Sequence, residues 1–184
     1  MTEDKKYLIL MAGLPGTGKT TVSEKLSKEL GYTLINQNSV RREHGMKKMP
    51  KTQENVLRDV DRRVHDALAR GEGVIVDAAN RYGHRRHQFY GIASGFGMEV
   101  VVLECVCSED TAKARIKERP RGDGLIVDAY DPSAYDKVRA GFEEVEADFH
   151  DFSNHVSHLV LNTETKEIIG KSPSELVKCL TKII

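Results

Sequence analysis

The sequence predicts an α/β fold built on a parallel sheet, and two observations carry that prediction. Short apolar runs alternate with stretches of helical periodicity along the chain, the order that parallel strands and their crossover helices impose. The 184 residues, 39% apolar and 30% charged, supply one ordinary core, so a single domain over 1–184 is expected. The first apolar run, Tyr7–Ala12 (YLILMA), reads as a strand. Val22, Leu26 and Leu30 then recur every four residues, predicting a helix from Thr20 to Leu30 that Gly31 stops. Thr33–Ile35 is a second, short strand. Val56, Val60, Val64 and Leu68 mark a helix over Thr52–Arg70, with Gly71 after it. Gly73–Asp77 (GVIVD) is the third strand, a helix over 83–94 follows, and Met98–Cys107 (MEVVVLECVC) is the fourth. Further helices are expected over 109–118 and 133–149. Between them Arg119–Asp131 has turn residues and no clear period, so it reads as a loop or lid, the lid region as a whole covering about 109–131. Val156–Leu161 is the last strand. Ser172-Pro173-Ser174-Glu175 resembles an N-cap with proline at the first helical position, opening a helix to about Lys182.

Several function classes are disfavoured at once. The longest apolar run ends at Gly13, too short to span a bilayer, so no membrane partner is expected. The polar MTEDKK start lacks the order of a secretory signal. Cys105, Cys107 and Cys179 are too few and odd in number for a disulfide framework, and a cytoplasmic protein is expected. The net charge is zero, yet it is unevenly spread. Residues 1–92 carry 17 Lys+Arg against 11 Asp+Glu, most of the excess lying between Arg41 and Arg86. Such a basic half fits a protein that handles anions at one surface, although Glu54, Asp59, Asp61 and Asp66 are interleaved there, as on a solvated helix face.

The strongest signal is Gly13-Leu14-Pro15-Gly16-Thr17-Gly18-Lys19-Thr20, a residue-for-residue match to G-x-x-x-x-G-K-[ST] placed between a strand and a helix. Glycines let the backbone curl so that successive N–H groups face phosphate oxygens at the positive end of the helix. Gly13, Pro15, Gly16, Thr17, Gly18 and Thr21 are read as the cradle of a nucleotide. Lys19 adds a full charge on its β/γ-phosphates, and the Thr20 hydroxyl is short enough to ligate Mg²⁺. The metal's second ligand is expected where a neighbouring strand ends in an acid, which is Asp77. No N-K-x-D element for guanine is present, so ATP is the expected donor.

Taken with Asn36-Gln37-Asn38-Ser39-Val40-Arg41, Val76-Asp77-Ala78-Ala79-Asn80 and Ala114-Arg115-Ile116-Lys117-Glu118-Arg119-Pro120, the loop resembles the ordered motifs of P-loop kinases related to phage-type polynucleotide kinase and the zeta-toxin-like kinases. The resemblance covers about residues 6–150. It implies a P-loop NTPase fold with an adenylate-kinase-like, five-stranded parallel sheet and a lid after the fourth strand. It also implies transfer of the ATP γ-phosphate to an acceptor beside the second strand. Arg41 would bind an acceptor phosphate. Arg115 and Arg119 would be lid arginines that neutralise the transferring phosphoryl group, a task suited to planar cations.

One departure matters. Asn38 stands where the family has an aspartate as general base, and an amide cannot take a proton. Asp77 or Glu43 could serve instead, the acceptor could be a phosphate that needs no base, or the protein could bind nucleotide without transfer. Cys105 and Cys107 read as structural thiols, His84 and His87 beside Arg85 and Arg86 as a basic surface face, His155 and His158 as surface, and Phe89, Tyr90 and Phe96 as core. The leading expectation is an ATP-dependent kinase of the 5′-hydroxyl of RNA or DNA, with the 41–86 region tracking the backbone. A small-metabolite or nucleotide kinase, and an ATP-binding module or ATPase without an acceptor, are the alternatives.

Overall fold

In the computed structural model, which describes residues 5–45, 53–119, 130–148, 155–171 and 173–184, the chain forms a six-stranded sheet with helices on both faces. In chain order the elements are β1 (Tyr7–Ala12), α1 (Lys19–Leu30), β2 (Thr33–Asn36), α2 (Gln37–Glu43), α3 (Glu54–Ala69), β3 (Val74–Asp77), α4 (Gly83–Gly95) and β4 (Glu99–Val106). Then come α5 (Glu109–Lys117), α6 (Ser133–Arg139), a 3₁₀ turn (Val145–Asp148), β5 (Val156–Asn162), β6 (Ile168–Lys171) and α7 (Ser174–Ile183). Among the described residues no helix is long and apolar enough to cross a membrane.

The strands lie in the order β2-β3-β1-β4-β5-β6. β1 to β5 are parallel, with Leu8 opposite both Val74 and Val100. The central strands are buried on both faces, so their residues divide by parity into two cores. Leu8, Leu10, Val74, Val76, Val100 and Val102 pack against Val56, Val60, Val64 and Leu68 of α3 and Phe89 and Tyr90 of α4. Ile9, Met11, Ile75, Val101, Leu103 and Cys105 meet Val22 and Leu26 of α1 and Leu176 and Leu180 of α7. The every-fourth-residue stripes read from the sequence are the faces buried here.

Three expectations are corrected. The sheet has a sixth strand: β6 pairs antiparallel with β5 through a tight turn in which Lys166 takes a positive φ of 67°. The helix expected over 133–149 stops at Arg139. Beyond Gly141 the Glu143 N–H donates to the Arg81 carbonyl (2.8 Å), and the Glu143 carboxylate accepts from the Gly83 N–H (2.6 Å), satisfying an orphan donor at the start of α4. Glu143 thus caps α4 from beyond the end of α6. Phe96, expected in the core, is 37% exposed just past the end of α4. The loop or lid expected at 119–131 lies outside the described residues at 120–129, as does Ser172.

Arg86 is a fourth correction. Instead of forming a surface face it is fully buried, while His84 beside it stays exposed. Its Nε and Nη2 donate to Asp148 (2.5 and 2.9 Å), and Nη1 donates to the carbonyls of Asn80 and Glu143 (3.0 and 3.1 Å). The Tyr90 hydroxyl donates to the same carboxylate at 2.8 Å. Replacing Arg86 by Met keeps the length but strands the Asp148 charge. The expected cost is about 3–5 kcal/mol by urea denaturation, as for removing one partner of a buried pair. A loss below about 1 kcal/mol would show that Asp148 is not left as an uncompensated buried charge when the guanidinium is removed.

Candidate active site

The loop Gly13–Thr20 lies at the carboxyl end of β1. There the chain leaves for β2 on one side and β4 flanks the other, the crevice where doubly wound sheets bind ligands. Backbone geometry explains two of its glycines. Gly13 has φ 127° and Gly16 has φ 83°. A Cβ would come within 2.3 Å of the Cys105 carbonyl oxygen at the first and of the Ala112 carbonyl oxygen at the second. The loop is therefore pressed against the end of β4 and against α5. It is also tied from β3: the Gly13 N–H donates to the Ala79 carbonyl (3.3 Å), and the Asn80 amide donates to the Met11 carbonyl (2.7 Å). Buried Arg86 holds the carbonyl of that same Asn80, which connects the α4 core to the loop.

Lys19 opens α1, and its Nζ donates to the Leu14 carbonyl at 2.7 Å across the loop. Burial pushes its ammonium pKa down, and the charge of Asp77 pulls it back up. Asp77 is buried at the end of β3, in register with Asn36 on β2, whose side-chain amide donates to its carboxylate (2.6 Å). Asn36 also accepts from the Ser39 N–H (2.9 Å), capping α2, so one side chain sets both the acid and the helix.

A cleft of about 700 Å³ opens above these ends. The phosphate-loop side is lined by Gly16, Gly18, Lys19, Thr20 and Thr21, and another wall by Arg115 and Arg119. Ser39, Arg42, Glu43 and Arg63 line the other side. A second recess of about 400 Å³, richer in carbon, lies beside Gly18, Thr21, Thr163 and Ile183 and shares Arg115 with the cleft. Lys19, Thr20, Arg115 and Arg119 are thus brought together, and Asp77 acts on Lys19 from beneath. Arg41 and Asn38 do not line the cleft. Arg41 is 9% exposed and donates to the side-chain amide oxygens of Gln53 (2.8 Å) and Asn38 (2.5 Å). Burial pushes its pKa down to about 10. The next residue, Arg42, faces the cleft instead and donates to the Ser39 hydroxyl (2.8 Å).

Glu43 pairs with Arg63, which holds its carboxyl below the usual range. Four further arginines of the basic segment are similarly engaged. Arg62 meets Asp59 (2.6 Å), Arg70 meets Glu72 (2.6 Å) and Arg85 meets Asp61 (2.6 Å), while Arg58 pairs with Glu54. Lys47, Lys48 and Lys51 lie outside the described residues. Cys105 is buried and Cys107 half-buried. His158 is not at the surface, being held between Glu104 (3.0 Å) and Glu146 (3.2 Å).

The sequence reading missed Ser39, Arg42, Arg63 and Thr163. Ser39 lies inside the quoted motif without an assigned role, Arg42 directly follows it and Arg63 is one helix away, and α2 begins too abruptly for a period to show which face is turned inward. Thr163 carries no motif signal.

Comparison with known proteins agrees with this geometry. A family model described as AAA domain matches residues 8–145, and the chain belongs to that family. It is a kinase-like P-loop NTPase. A Thermococcus kodakarensis protein named provisionally as an adenylate kinase is 27% identical over 179 residues, covering 96% of this chain and 85% of that protein. A structure from Chloroflexus aurantiacus, named provisionally as a kinase, matches with TM-score 0.68 and 17% identity over 98% of this chain and all of that one. Kti12 of Chaetomium thermophilum, solved with ADP–AlF3, matches with TM-score 0.61 and 20% identity over 96% of each chain.

Proposed function

We propose that this protein transfers the γ-phosphate of ATP to a small, phosphate-bearing acceptor of the nucleotide class. The observation that carries the reading is the cleft itself. Its donor side is a phosphate loop with Lys19, Arg115 and Arg119, and its other side presents Arg42, beside an Arg63 paired with Glu43 and Asp59, but no strong base. Asn38 is an amide turned to Arg41, Glu43 is made a weaker base by Arg63, and Asp77 is committed to Asn36 and Lys19. A phosphate oxygen is already ionised and needs no base, so these residues suit it better than a hydroxyl. The adjoining recess has the size and carbon-rich lining for the base of ATP. Kti12 with ADP–AlF3 and the name of the archaeal relative support nucleotide as donor and as acceptor.

The residues also fit Mg²⁺. Thr20 and Asp77 are hard oxygen donors near the loop, and the ion would neutralise charge on the transferring phosphoryl group. Arg115 and Arg119 would carry the remaining charge. The resemblance to polynucleotide kinase keeps a second reading open, and the cationic cleft wall favours it. The ion-paired surface of α3 and α4 argues the other way, since those arginines would have to give up carboxylates to grip a backbone.

γ-Labelled ATP offered with nucleoside monophosphates, other phosphorylated metabolites, sugars and 5′-hydroxyl oligonucleotides tests the choice. Label is expected on a phosphorylated small acceptor, with an affinity that changes little between 50 and 200 mM salt. Label on oligonucleotides alone, with affinity falling steeply over that range, would contradict the proposal.

Asn38→Asp separates the readings again. The new carboxylate would face Arg41, whose buried charge bonds neutral amide oxygens among the described residues. The melting temperature is expected to rise and the rate to stay within about 3-fold. A rate gain of about 10²-fold, the scale of an added general base, would place residue 38 at a hydroxyl acceptor instead.

A further inference from the structure

Thr163 lies just past the end of β5 and belongs to no motif. Its backbone N–H donates to the Val106 carbonyl at the end of β4 (2.9 Å), which fixes where its side chain sits. The hydroxyl donates to the Thr17 carbonyl inside the phosphate loop (2.9 Å). Arg115 Nη1 donates to the same hydroxyl oxygen (2.9 Å), and Arg115 Nη2 reaches the Thr163 carbonyl at 3.4 Å. The side-chain methyl lies 3.3 Å from the place a Cβ on Gly18 would occupy. A single hydroxyl therefore acts as donor to the loop and as acceptor for the lid-side arginine, a double role open to Thr or Ser but not to Val.

Both partners belong to the donor site. The Thr17 carbonyl sits between Gly16 and Gly18, so pinning it fixes the direction of the loop N–H groups around it. Arg115 lines the cleft and the recess alike, and two of its nitrogens are spent on Thr163. Its guanidinium plane is thus set before any nucleotide arrives, so less freedom is lost on binding.

We propose that Thr163 is a positioning residue of the donor site, acting through Thr17 and Arg115 to preorganise the loop and the guanidinium together. The proposal rests on the kinase reading above. Its consequence is that donor affinity depends on a hydroxyl past the end of β5, on the other side of the phosphate loop from α2.

Thr163→Val keeps the shape and removes both hydrogen-bonding roles. By calorimetric titration ATP is expected to bind about 10-fold more weakly, the scale of one to two lost hydrogen bonds, with kcat at saturating ATP lowered as well because Arg115 loses its support. Thr163→Ser, which keeps the hydroxyl and loses the methyl, is expected to bind within about 2-fold of the parent and serves as the folded control. In an Arg115→Ala background, Thr163→Val is expected to cost clearly less than it does alone, because one of its two partners is already gone. Unchanged ATP affinity in Thr163→Val, or the same loss in both backgrounds without rescue by Ser, overturns the proposal. A parent protein that binds no ATP overturns the kinase reading and this proposal with it, whereas the first two results leave the kinase reading standing.

Discussion

Lys19→Ala is expected to lower ATP turnover by roughly 10³-fold while leaving the fold intact. The ammonium is the one full charge that opens α1 inside the phosphate loop, and a preorganised charged contact to a developing phosphoryl charge is worth roughly 10²–10³ in rate or more. The effect on stability runs differently. Lys19 gives one hydrogen bond to the Leu14 carbonyl, worth about 0.5–1.5 kcal/mol. Burial meanwhile depresses its pKa, so the folded state already bears a cost for that charge, which the alanine removes. The melting temperature is therefore expected within a few degrees of the parent, and calorimetry alongside a turnover assay checks both halves. Turnover within a few-fold of the parent would show that the loop does not act on a nucleotide.

Asp77→Asn is the second large effect, expected at roughly 10²-fold in activity. Asparagine can still accept from the Asn36 amide, so β2, β3 and the cap of α2 keep their geometry. What is lost is the charge, both for the metal-holding role proposed for it and as the anion that supports protonated Lys19. The sign for pH follows. Burial lowers the Lys19 pKa and Asp77 raises it, so without Asp77 it falls further and the alkaline limb of the pH–rate profile moves to lower pH. A variant with normal activity at low Mg²⁺ and an unmoved alkaline limb would make Asp77 a plain strand-end acid.

Much of the donor side was legible in the sequence because its geometry is local. Gly13 and Gly16 are needed where the backbone runs against Cys105 and Ala112, and Lys19 follows at fixed spacing. The stripe Val56–Leu68 was legible for the same reason, since a single helix face supplies it. What the sequence hid depends on distant partners. Arg86 looks like surface beside His84 until Asp148, 62 residues on, and the carbonyls of Asn80 and Glu143 surround it. The basic segment looked like a polyanion track until its arginines met Asp59, Asp61 and Glu72. On α2 the difficulty was angular. Residues 41 and 42 are about 100° apart on a helix, and only the packing of Arg41 on Gln53 shows that Arg42 faces the cleft.

The identity of the bond made in the reaction tests the account most directly. Incubating the protein with ATP, Mg²⁺ and a nucleoside monophosphate and following the mixture by phosphorus NMR distinguishes a new phosphoanhydride from a new phosphomonoester. The account predicts a phosphoanhydride, formed as the acceptor's phosphate oxygen takes the γ-phosphoryl group and ADP leaves, and absent with Lys19→Ala. A phosphomonoester on a hydroxyl acceptor, with the monophosphate left untouched, would contradict it.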